Sequence, residues 1–270
     1  MMIYGIDFTS RPTRRKPMTC AVCVLEEQRL VYQGMQRLTT FEQFEASLAV
    51  PGPWVAGMDF PFGQSQRFIH NIGWPSDWRR YVEHVATLDR ATFRKTLDDY
   101  RAPRPAGDKE HRRSSDAVTG AISPQKLYGV PVGLMFFAGA KRLLASGVTV
   151  AGLYDADPSR VVFEAYPGVL ARRATSWGYK NDDVKKQTDD HRRARADILK
   201  FVTDGGVTEH YGLEVVLERS VDEDPTGDTL DALLCAVQAA WAWRAWPDLR
   251  PRLTPVQELE GWIADPCVFD

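Results

Sequence analysis

Short unbroken apolar runs alternate along this chain with longer stretches in which apolar residues recur at helical spacing. Residues 2–8 are the first such run, interrupted by an acid, Asp7, near its end, which is the pattern of a strand buried on both faces. A polar, basic connection from Thr9 to Pro17 follows. Residues 19–25 then read as a second strand, Glu26-Glu27-Gln28 as a turn, and 29–38 as a third strand. Thr40 opens a short helix with Phe41, Phe44 and Leu48 on one side. After Pro51-Gly52-Pro53, the run 54–60 is another buried strand ending in an acid, Asp59, with Pro61 closing it.

The next stretch, 64–150, reads as a largely helical insertion between sheet elements. Trp78, Val82, Val85, Leu88 and Phe93 predict one helix over 78–100. Residues 101–127, rich in Pro, Arg and Ser without periodicity, predict a long loop, and 134–144 returns to a helix. Residues 160–167 form the next strand, with Glu164 near its end and Pro167 placed for a helix N1 position. A charged helix is predicted over 182–202, with i,i+4 pairs such as Asp182–Lys186 and Asp189–Arg193, ended by Gly205-Gly206.

The last long helix follows the turn at Asp224-Pro225 and Gly227 and runs to Trp246, where Pro247 is expected to stop it. It is apolar on nearly every side, as a buried helix is. Asp228 and Asp231 share one face at i,i+3, continued by Ala232, Cys235, Ala239 and Ala242. Small residues let a helix lie close to a sheet, which would bring both carboxylates near strand ends. Two readings stand: an N-cap with an acidic first-turn partner, or a pair of metal ligands. One short helix is predicted in the tail, near 256–263.

Composition narrows the picture. The 270 residues fit a single domain, 1–270, carrying the 64–150 insertion. A net charge of −2 leaves no global basic field, so any nucleic-acid signal must be local. No apolar run reaches a membrane span and no leader pattern precedes the first strand, so the expectation is a cytoplasmic protein with no membrane partner. Cys20 and Cys23 form a C-x-x-C inside a strand, where three positions apart means opposite faces, so a zinc site is not expected.

The chemistry-bearing set is therefore Asp7, Asp59, Glu164, Asp228 and Asp231: three acids at ends of buried strands and two on one helix face. Hard divalent cations take oxygen ligands, and two of them about 4 Å apart can clamp an in-line phosphoryl displacement. No nucleophile–His–acid pattern competes, and no histidine falls at metal-binding spacing. Three strands, a helix and a fourth strand form the opening order of a ribonuclease H-like domain, in which the first and fourth strands run side by side and parallel. The expected fold is thus α/β: a mixed five-stranded sheet flanked by helices, with the insertion after the fourth strand.

Gly5-Ile6-Asp7-Phe8, Gly57-Met58-Asp59-Phe60-Pro61-Phe62-Gly63, Phe163-Glu164-Ala165-Tyr166-Pro167 and Asp228-Thr229-Leu230-Asp231 together resemble the family called domain of unknown function 429, described as predicted nucleases with a ribonuclease H-like fold. The resemblance spans nearly the whole chain. It implies a metal-dependent nuclease using Mg²⁺ or Mn²⁺ on DNA or RNA, with Asp7, Asp59, Asp228 and Asp231 as metal ligands and Glu164 as a further catalytic acid. Ser123 is carried over as a residue lining the site from the insertion. Thr9, Arg11, Arg14, Arg15 and Lys16, just past Asp7, are the candidates to hold substrate phosphates. The alternatives are an ATP-using phosphotransferase on the related actin-like fold and a non-catalytic nucleic-acid-binding module. Against the phosphotransferase, neither Asp7 nor Asp59 is followed by a Gly-rich turn to cradle phosphates.

Overall fold

A computed structural model describes residues 1–270 except 182, 218–220, 222 and 223, and the side chain of residue 184. The opening order follows the pattern of the sequence: β1 (Met2–Asp7), β2 (Met18–Glu26), β3 (Arg29–Leu38), α1 (Phe41–Leu48) and β4 (Trp54–Met58). Thr40 caps α1 by accepting from the Gln43 amide. β1, β2 and β3 are antiparallel neighbours, and β4 lies parallel to β1 as expected.

The insertion carries α2 (Gln66–Ile72), α3 (Trp78–Ala86), α4 (Arg90–Arg101), α5 (Ser114–Thr119) and α6 (Val132–Ser146). The single helix expected over 78–100 is two, because Asp89 caps a new start by accepting from the Thr92 amide while its neighbours keep the apolar period. The expected loop over 101–127 contains α5 and is pinned by buried charges described below.

β5 (Val148–Val150) and β6 (Asp157–Glu164) follow, then α7 (Pro167–Ala174) with Pro167 in its first turn, as expected. The charged helix, α8 (Asp189–Thr203), starts at a Thr188 cap rather than at 182. Its ion pairs are i,i+3, Asp189–Arg192 and Asp190–Arg193, rather than the expected Asp189–Arg193, and Asp182 lies outside the described residues. Gly205 begins α9 (Gly206–Tyr211), which leads to β7 (Glu214–Val216).

Among the described residues the sheet has seven strands, in the order β5-β6-β4-β1-β2-β3-β7, rather than five. The two unforeseen strands are three residues each and close the two edges, too short to leave a period in the sequence. α10 (Asp228–Leu249) passes through Pro247 instead of stopping there, since a proline in the last turn removes only one hydrogen bond. α11 (Pro255–Glu260) is the tail helix.

Two cores flank the sheet. Ile6, Met58 and Val162 pack against the insertion helices on one face. Ile3, Val55 and Phe163 pack against α10 and its neighbours on the other. Cys20 belongs to the first core and Cys23 to the second, so the C-x-x-C is split by the sheet.

Candidate active site

Strand parity decides which side chains meet. Ile3, Gly5 and Asp7 alternate onto one face of β1, Val55 and Gly57 onto the same face of β4, and Gly5 is the register partner of Gly57. Asp59 continues that alternation one step past β4, its amide donating to the Ile6 carbonyl at 2.9 Å. Both acids therefore lie on the α10 face. The glycine pair lets α10 descend onto the sheet. A Cβ at Gly5 would lie 1.9 Å from the Ala232 carbonyl oxygen, and one at Gly57 would lie 2.3 Å from that of Cys235. This close approach sets the first turn of α10 over the ends of β1 and β4.

The result is a cleft of about 210 Å³ lined by Asp7, Thr9, Lys16, Asp59, Lys180 and Asp228, among others. Burial holds the Asp7 carboxyl well above the usual carboxylate range, partly opposed by Lys180 and reinforced by Asp231, Asp228 and Asp59. Burial, then the charge of Asp231, pushes Asp59 up to about 7. Asp228 is raised as well, chiefly by burial. Among the described residues no hydrogen bond or ion pair holds the carboxylate of Asp7 or Asp59.

The cap reading of Asp228 fails for a specific reason. Gly227 occupies the N-cap at φ 76°, and Asp224 does the capping work, accepting from Thr226 N at 3.0 Å and Thr229 N at 3.2 Å. The Asp228 side chain is left to border the cleft.

Asp231 is placed differently from its expected role as an open ligand. It is fully buried; the Tyr179 hydroxyl donates to Oδ1 at 2.6 Å and the Lys180 ammonium pairs with Oδ2. The Tyr179 carbonyl in turn accepts from Arg195 at 2.9 Å. Sequence reasoning missed Tyr179 and Lys180, which sit in a connection without periodicity between α7 and α8.

The same parity places Glu164, expected as a further catalytic acid, on the other side of the sheet. It is the register partner of Met58, so it leaves the sheet on the insertion side and does not line the cleft of Asp7, although its charge still adds to the raised pKa of Asp59. Its Oε2 accepts from Phe62 N at 2.8 Å and Arg113 Nη1 at 2.7 Å, and Oε1 from Arg113 Nη2. Arg113 also pairs with Asp116 at 2.7 Å, making a buried triad that clamps the insertion to the sheet. Ser123 is likewise occupied in the insertion, donating to the His111 carbonyl at 2.7 Å and accepting from Gln125 N at 3.2 Å. Of the basic connection, Thr9 and Lys16 line the cleft whereas Arg11, Arg14 and Arg15 do not. Arg11 lies near Arg90, whose guanidinium donates to the Ser10 carbonyl at 3.2 Å.

Among the described residues no group of three or more His, Cys, Asp or Glu side chains converges tightly enough to hold a metal by itself. The donor chemistry still suits one. Two unpartnered oxygen-donor side chains face the same opening, and Mg²⁺ is commonly held by one or two carboxylates with waters and substrate oxygens completing its shell.

A family model described as "Protein of unknown function (DUF429)" matches residues 5–253. No curated protein and no solved structure matches the chain.

Proposed function

The chain belongs to the DUF429 family, and from that premise and the acidic cleft we propose that it is a divalent-metal-dependent nuclease, hydrolysing phosphodiester bonds of nucleic acid on a ribonuclease H-like fold. The observation that carries this reading is the pair of unpartnered carboxylates, Asp7 and Asp59, at the ends of adjacent parallel strands. The order β3-β2-β1-β4-β6, with three antiparallel strands and a parallel neighbour reached through a helix, supports the fold assignment.

Asp7 and Asp59 would hold the cation, Mg²⁺ or Mn²⁺, with Asp228, which borders the same cleft, as a further oxygen donor. When bound, such a cation supplies an activated water and charge stabilisation for the leaving oxygen. Burial makes the carboxylates strong partners for it, because a crowded set of acids with raised pKa gains most from a counter-charge. Lys180, which also pairs with Asp231, and Lys16 line the cleft and bring positive charge beside the acids, where a substrate phosphate would lie. Asp231 and Tyr179 fix the segment carrying Lys180, which makes Asp231 a positioning residue.

The test is a panel of labelled single-stranded, duplex, flapped and hybrid DNA and RNA incubated with Mg²⁺ or Mn²⁺, each with a chelator control. Chelator-sensitive cleavage of at least one substrate is expected. No cleavage of any, at enzyme in excess over substrate, would overturn the reading.

A further inference from the structure

Beside the acidic cleft lies a second cavity of about 200 Å³ that shares Asp59, Val130 and Met135 with it. Its walls are otherwise apolar or aromatic, with Phe60, Pro61, Ile122, Val132 and Tyr166 prominent. Val130 stands at the shared rim with 59 % of its surface exposed. The charged groups at its base are Arg113, Asp116 and Glu164, and they satisfy one another. Arg113 places Nε and Nη2 on Asp116 and Nη1 and Nη2 on Glu164. With Asp59 the lining carries three carboxylates against one guanidinium, so a phosphate is disfavoured there. The volume falls below the roughly 300 Å³ at which pockets for drug-sized ligands begin, which suits a single ring system rather than a whole nucleotide.

We propose that this cavity receives one unpaired nucleobase of the substrate, adjoining the phosphodiester held at Asp7 and Asp59. In a nucleic acid the uncharged planar group next to each phosphate is its base, and the shared wall at Asp59 places the two openings side by side. Tyr166 supplies an aromatic ring whose hydroxyl accepts from Arg172 at 3.3 Å, a held platform for stacking. A base can enter only when it is unstacked and unpaired, so the site selects single strands, flaps or extruded bases over continuous duplex. This inference rests on the nuclease reading and deepens it.

The experiment measures binding, not cleavage, so that the two ideas fail separately. Fluorescence anisotropy follows a labelled single-stranded oligonucleotide bound to the full chain in Ca²⁺, with one abasic site moved stepwise along the strand. One position is expected at which losing the base weakens binding at least about five-fold, the loss of one stacked base. The Ile122→Trp variant, filling the cavity from its half-exposed wall, should weaken the intact strand similarly and abolish the positional effect. Tyr166→Ala provides a second variant, and thermal unfolding checks that both are folded. Binding with a flat abasic scan in the wild type would overturn the base pocket while leaving the nuclease reading intact. No binding of any oligonucleotide would overturn both.

Discussion

Asp59 carries the clearest pH signature in the molecule. Its ordinary pKa of 3.8 is raised to about 7 by burial and by the charge of Asp231. In the metal-free protein the native state therefore keeps a proton that the unfolded chain releases near pH 4. The corresponding stability is fully present below that pH and is lost as pH rises through about 7. In chelator, Tm should fall across this window, and Asp59→Asn should flatten the fall; identical slopes for both proteins would contradict the environment described for Asp59. Lys180 gives a second residue-scale expectation. Lys180→Met leaves the fully buried Asp231 carboxylate without its ammonium partner and should cost about 1–3 kcal/mol, less than a fully buried pair because the Lys180 side chain is 35 % exposed. Adding Asp231→Asn should restore part of the loss in denaturant unfolding, and a neutral Lys180→Met would mean that the pair does not stabilise the fold. Asp7 and Asp59 were legible in the sequence because each ends an apolar run. Glu164 ends a run as well, but its phase relative to Asp59 depends on strand register, which a single sequence does not state. Lys180 gave no signal, since nothing in its spacing marks a connection that folds back over a helix.

At the scale of elements, the packing of α10 on β1 and β4 is what assembles the cleft. The small-residue face of the helix was readable, and its counterpart, the Gly5–Gly57 pair, lies inside the same two motifs as the acids. Gly5→Ala drives a methyl into the backbone of α10 at Ala232 and Ala236, and overpacking of this kind costs about 1–3 kcal/mol or more. The loss should appear in denaturant unfolding together with weakened cation binding, because the helix carrying Asp228 must rise. Gly34, where an added Cβ meets nothing within 4 Å, is the control: Gly34→Ala should leave both measurements unchanged. Equal behaviour of the two variants would mean that close packing does not set the site. Other features were hidden by local exceptions, such as the Asp89 cap that restarts a helix in phase and the Pro247 that α10 accommodates.

For the whole molecule, charge distribution matters more than the net value of −2. Lys16 lines the cleft, and Arg90 ties itself to Ser10 with Arg11 and Arg94 close enough to lower its pKa further below a value already reduced by burial. A local basic border beside an acidic cleft suits a polyanion that presents one phosphate to the acids and its neighbours to the rim. Replacing Lys16, Arg11 and Arg90 by Gln should reduce the slope of log affinity against log salt by about 0.7–0.9 for each phosphate that is no longer neutralised. An unchanged slope would leave that border without a part in binding. No helix among the described residues is long and apolar enough to cross a membrane.

The most direct test of the central claim is the cleavage rate of Asp7→Asn and Asp59→Asn on the best substrate of the nucleic-acid panel, at saturating Mg²⁺, with thermal unfolding of each variant in chelator alongside. Each variant is expected to lose at least about a hundred-fold in rate, the scale of losing a ligand that positions a catalytic cation, while its metal-free stability holds or rises as the crowding of carboxylates is relieved. Near-wild-type cleavage by either folded variant would contradict the assignment of the acidic cleft as the catalytic centre.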